Sequence, residues 1–96
     1  MSGEARHKQL SRIFATPIED DEAARSAISA RPGDFASALF LEAADSDDVI
    51  SAESARDYLA GRLAFFDGLI SKEAKQAVVD SFDERLKAWE TPAANN

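Results

Sequence analysis

The chain has 96 residues, with 11 Lys and Arg against 18 Asp and Glu, one histidine and no cysteine, for a net charge of −7. That length holds one domain at most. Disulfide frameworks, thiolate metal sites and thiol nucleophiles are excluded. A chain this acidic repels phosphate backbones, so direct nucleic-acid binding is not expected.

Apolar residues make up 45 % of the chain, which suits a folded domain rather than an acidic disordered tail. Nineteen residues are alanine. Alanine favours helix but buries little area. We expect a single helical domain over 1–96 of modest stability, with 1–4 and 91–96 as loose tails and a homodimer as a natural supplement. No apolar run follows Met1. The longest, Phe35–Leu41, is interrupted by Ser37 and falls far short of the ~20 residues of a membrane span. A cytoplasmic location without membrane association follows as an expectation.

Five segments carry helical signals and none alternates with period two. In the first, about Glu4–Phe14, Leu10, Ile13 and Phe14 form a short apolar stripe. The second is expected to start at Thr16-Pro17-Ile18-Glu19, which reads as a capping box with Pro at the first helical position. It would run to about Ala30 and stop before Arg31-Pro32-Gly33. The third, about Asp34–Ala44 with Asp34 as N-cap, is apolar around almost its whole circumference. Such a helix is expected to be buried all round, either as the central helix of the fold or as one covered partly by another chain. The polar loop Asp45-Ser46-Asp47-Asp48 follows. The fourth helix, about Ala52–Phe66, has Ser51 as N-cap and its stripe on Ala52, Ala55, Tyr58/Leu59, Leu63 and Phe66. Gly61 in its interior predicts close approach of a neighbouring helix, and Gly68 is placed to end it. The fifth, about Lys72–Glu90 with Ser71 as N-cap, predicts a seam on Val79, Phe82, Leu86 and Trp89. The expected fold class is all-α: a compact bundle of four to five mostly antiparallel helices around the apolar helix at 34–44.

Catalytic signals are weak. His7 is a lone histidine near the terminus, and no GxSxG, HExxH or phosphate-loop pattern occurs, so an enzyme is not expected. The loop from Asp45 begins like a calcium loop. Its sixth position is Ile50 rather than Gly and its twelfth is Arg56 rather than Glu, so no metal or cofactor is expected there.

Charge is distributed unevenly: +2 over residues 1–16, −8 over 17–57 and −1 over 58–96. The acids are densest at Glu19, Asp20, Asp21 and Glu22 and at Asp45, Asp47 and Asp48. These seven form a candidate acidic surface for a protein partner with a basic face. The first four also suit the positive pole of a helix start. Phe65, Phe66 and Trp89 are candidate interface aromatics. Phe65 and Phe66 are adjacent, so they point about 100° apart and cannot share one narrow seam. The function expected from these features is a small non-enzymatic module that regulates or inhibits a basic partner, such as a nucleic-acid-binding protein. The competing expectation is a structural subunit assembled through apolar helix faces.

Overall fold

A computed structural model describes residues 2–90, with side chains from Ala5 to Trp89. The tail expected at 91–96 lies outside the described residues. Five helices and no strand are present among those residues: α1 (Ser2–Phe14), α2 (Asp21–Ala30), α3 (Pro32–Ala44), α4 (Ala52–Phe65) and α5 (Lys72–Glu90). The first helix takes in Ser2–Glu4, most of the expected N-terminal tail. The all-α bundle expected from the sequence is therefore the observed fold.

Helices α3, α4 and α5 make an up-down-up unit. Phe35 at the start of α3 meets Phe66 at the end of α4, while Ala43 and Ala55 face one cleft at the other end. Arg56 of α4 pairs with Asp83 of α5, and Asp67 lies across from Lys75. Consecutive helices here are thus antiparallel. Helix α3 is the centre of the bundle and packs along α5 more extensively than on any other element. Its buried face is Phe35, Ala36, Leu39 and Ala43. It is not covered on all sides: Leu41 remains 66 % exposed and Ala44 is also open.

The N-terminal pair is arranged differently. Ala15 adopts a left-handed φ of 53°, and the Thr16 N–H closes α1 on the Ser11 carbonyl at 3.2 Å. Residues 15–20 then double back instead of starting a helix. Ile18 inserts into the core, and its N–H donates to Ser11 Oγ at 2.9 Å. The predicted capping box at Thr16 is therefore absent. Its proposed members sit in a connector whose geometry is set by burying Ile18. The helix begins four residues later, capped by Asp20, whose side chain accepts the Ala23 N–H. Because the connector reverses, α1 and α2 run in the same direction. Asp21 meets His7, and Arg31 just beyond α2 meets the Phe14 carbonyl at the end of α1.

Two further boundaries depart from expectation. Pro32 opens α3 at its first turn, with Arg31 as N-cap. Pro-Gly here starts a helix rather than ending one, because an N1 proline gives up an N–H that has no intrahelical partner. Asp34, expected as the cap, instead accepts from Arg31 Nε at 2.7 Å. On α5 the fully buried residues are Ala74, Val78, Phe82 and Leu86. Four-residue steps drift about 40° each around a helix, and this row tracks α3. Val79 lies at the edge of it, and Trp89, past the end of α3, is 42 % exposed.

Side-chain caps and aromatic contacts finish the fold. Ser51 and Ser54 form a reciprocal capping box at α4, and the Ser71 hydroxyl accepts the Ala74 N–H at α5. Through the centre, Phe14 stacks on Phe35 with centroids 6.1 Å apart, and Phe35 meets Phe66 edge to face at 5.4 Å. Arg6 and Arg25 both donate to carbonyls of the α4–α5 turn, at Asp67 and Gly68. They tie α1 and α2 to the far side of the bundle. Gly61 has nothing within 4 Å of where a Cβ would stand, so the predicted close approach of a neighbouring helix does not occur within the chain.

Candidate interaction surface

The seven acidic candidates fall into two groups at opposite ends of the bundle. The His7–Asp21 contact, together with the Arg6 and Arg25 bonds to the α4–α5 turn, puts the start of α2 beside that turn. The start of α3 is there too, through Phe35 and Phe66. Asp45, Asp47 and Asp48 follow the other end of α3, about 20 Å of helix away. The structure does not bring the seven into one continuous patch.

The groups also differ in what occupies them. At the first, Asp20 is the α2 cap. Asp21 accepts from His7 Nε2 at 2.7 Å, and this hydrogen bond holds its carboxyl below the ordinary value. Only Glu19 and Glu22 have no structural task there. Acids at a helix N-terminus are also favoured by the dipole. The cluster is accounted for by how α2 starts.

At the second group the physics reverses. Asp45 is the C-cap of α3, and the last turn of that helix holds no basic residue. A carboxylate at this negative pole costs about 0.3–1 kcal/mol. The loop backbone is organised by other groups: the Asp48 N–H donates to Ser46 Oγ, and the Val49 N–H to the Ser46 carbonyl. All three Asp side chains are exposed, and none forms an ion pair among the described residues. Their position does nothing for the fold that Ser46 does not already do.

Apolar side chains surround this loop. Ile50 is 83 % exposed, Leu41 66 % and Trp89 42 %. Trp89 lines a shallow cleft with Ala44 and Val49. Leu41 is one turn before Asp45, and Ile50 follows Val49 directly. Three of the four large exposed apolar residues of the described chain therefore sit at one end, around three unpaired carboxylates. The fourth, Phe65, is 36 % exposed and lies under the Arg62 guanidinium, 5.0 Å from the ring centroid. Phe66, a predicted interface aromatic, is fully buried. It faces the α3 side of α4, so its ring belongs to the core. The sequence did not single out Leu41 or Ile50: Leu41 lay in a helix expected to be covered all round, and Ile50 was weighed as the sixth position of a calcium loop.

Tyr58, Glu42, Arg62 and Gln9 form a polar group. Tyr58 donates to Glu42 Oε1 at 3.0 Å, and Arg62 lies 3.6 Å from the same carboxylate while donating to Gln9. Burial, and then the bond to Glu42, pushes the Tyr58 hydroxyl up, which is the wrong direction for a nucleophile or base near neutral pH. This group joins α1, α3 and α4. Among the described residues no set of three or more His, Asp or Glu side chains is placed to share a metal ion, and no helix is long and apolar enough to cross a membrane.

A second concavity runs between α4 and α5. It holds about 590 Å³ and is lined by Leu59, Ala60, Leu63, Ala64 and Val79, with Arg56 and Asp83 toward one end and Asp67 and Lys75 toward the other.

No known protein family, curated protein or solved structure matches this chain.

Proposed function

We propose that the protein is a non-enzymatic interaction module that regulates or inhibits a protein partner with a basic surface, and that it docks through the end of the bundle formed by the 45–48 loop. The observation that carries this reading is the juxtaposition of three exposed, unpaired carboxylates with exposed Leu41, Ile50 and Trp89. Asp45 is there at an energetic cost to α3. Interfaces combine an apolar centre with a charged rim that steers encounter, and this end supplies both. A partner whose basic face surrounds an apolar pocket is the complement, and a nucleic-acid-binding protein is one class that presents such a face.

The test begins with affinity capture from the source cell and proceeds with the purified partner. Reversing Asp45, Asp47 and Asp48 to Lys is expected to weaken binding by tenfold or more, mainly through the association rate, with the helical circular-dichroism signal retained. Ile50→Ser is expected to weaken it through faster dissociation. Raising salt should mimic the charge reversal in the native protein. Binding that survives the triple reversal unchanged sinks the reading.

A further inference from the structure

We propose that two copies of this chain pair through the α4–α5 groove about a two-fold axis, on a surface separate from the acidic end. The groove is apolar between its ends, and its four charged side chains are placed for self-pairing. Arg56 stands near the start of α4 at one end of the groove, and Asp67, in the turn just past α4, at the other. On α5, Lys75 and Asp83 stand at the corresponding ends, eight residues or about 12 Å apart. An isologous contact needs each charge to meet its opposite when the surface is turned on itself. Laying α4 antiparallel on α4 of a second copy brings Arg56 opposite Asp67 of that copy. The same rotation lays α5 antiparallel on α5 and brings Lys75 opposite Asp83.

One axis serves both helices. Arg56 and Asp83 mark one end of the groove as an ion pair at 3.5 Å, and Asp67 and Lys75 stand at the other, on either side of the α4–α5 turn. A two-fold axis midway between these ends, across both helices, therefore brings both opposite-charge pairs together. Within one chain only Arg56–Asp83 is paired, at 3.5 Å. Lys75 and the Asp67 carboxylate have no ion partner among the described residues, and the second copy supplies both. The four charges sum to zero. The groove is thus a neutral strip on a chain of net charge −7, where two copies approach with the least mutual repulsion. The small side chains of Ala60 and Ala64 leave room for a helix to lie close.

Sedimentation equilibrium on the full chain, from about 5 to about 500 μM, is expected to show a monomer–dimer equilibrium. Ala64→Glu puts an acid into the apolar strip on an exposed helical position, and the expected result is a monomer across that range with unchanged helical content. Lys75→Glu sets a carboxylate in place of the ammonium against Asp83 of the second copy and should weaken the dimer by about tenfold. Adding Asp83→Lys to that variant exchanges the two charges and should recover a measurable part of the lost affinity, the remainder going with the Arg56–Asp83 pair that the exchange also breaks. The charge exchange decides the matter even if Ala64→Glu does not fold. A monomer throughout, or a dimer whose affinity is the same in Ala64→Glu and Lys75→Glu as in the native chain, overturns the proposal.

Discussion

Ala15 is the residue where the fold is most strained. A left-handed φ of 53° costs an L-residue with a Cβ about 1 kcal/mol, and glycine much less. Ala15→Gly is expected to raise the unfolding free energy by about 0.5–1 kcal/mol, read from urea midpoints at unchanged m-value. At Asp21 the relevant variable is pH. Its carboxyl is held below the ordinary value of 3.8 by the His7 hydrogen bond. A lowered folded-state value contributes stability that is present above the unfolded value and is lost as pH falls through the folded one. Asp21→Asn is therefore expected to flatten the acid limb of the stability curve below about pH 4. An acid limb identical to that of the native protein would mean that the His7 contact does not form in solution.

At the scale of the elements, the sequence was most legible where periodicity and capping agree. Ser51 and Ser71 cap α4 and α5 as their spacing indicates, and Leu59, Leu63 and Phe66 lie on the buried stripe of α4. It was least legible where tertiary packing overrode a local signal. Thr16-Pro17-Ile18-Glu19 satisfies the pattern of a capping box, but the burial of Ile18 outweighs one local cap of about 1 kcal/mol. No local rule reports that Ser11 will hold the reversed connector. The predicted seam on α5 missed Ala74 and Val78 for a similar reason, since its register follows the α3 face. Of the candidate surface, the loop acids could be read directly. The exposure of Leu41 and Ile50 could not, because it depends on where α4 and α5 leave α3 uncovered. Gly61 yields an element-scale prediction. With nothing within 4 Å of its Cβ position and no strained φ, Gly61→Ala should add about 1 kcal/mol to the helix. Thermal unfolding at low micromolar concentration, where the monomer dominates, is the check. A lower midpoint would show that the α4 surface is closely approached after all.

At the scale of the whole molecule, the two acidic groups have opposite energetic signs. Those at the start of α2 sit where the helix dipole favours them, and two of the four are used by the fold. Those after α3 begin at a pole that disfavours charge and are unused within the described chain. Net charge alone hides this division. Substitutions at Glu19 or Glu22 and at the 45–48 loop remove the same kind of formal charge, but only the second set alters the end where the large apolar residues are exposed.

The position of that end relative to α4 has a further consequence. Ala43 and Ala55 face one cleft, so the 45–48 loop belongs to the N-terminal end of α4. When α4 is laid antiparallel on its copy, the two loops point away from each other, at opposite poles of the pair. Such a dimer is bivalent. A target offering two suitably spaced basic sites would turn the second docking step into an intramolecular one, governed by effective concentration. A weak single contact then becomes a durable attachment to repeated or oligomeric targets, while isolated basic proteins are released quickly.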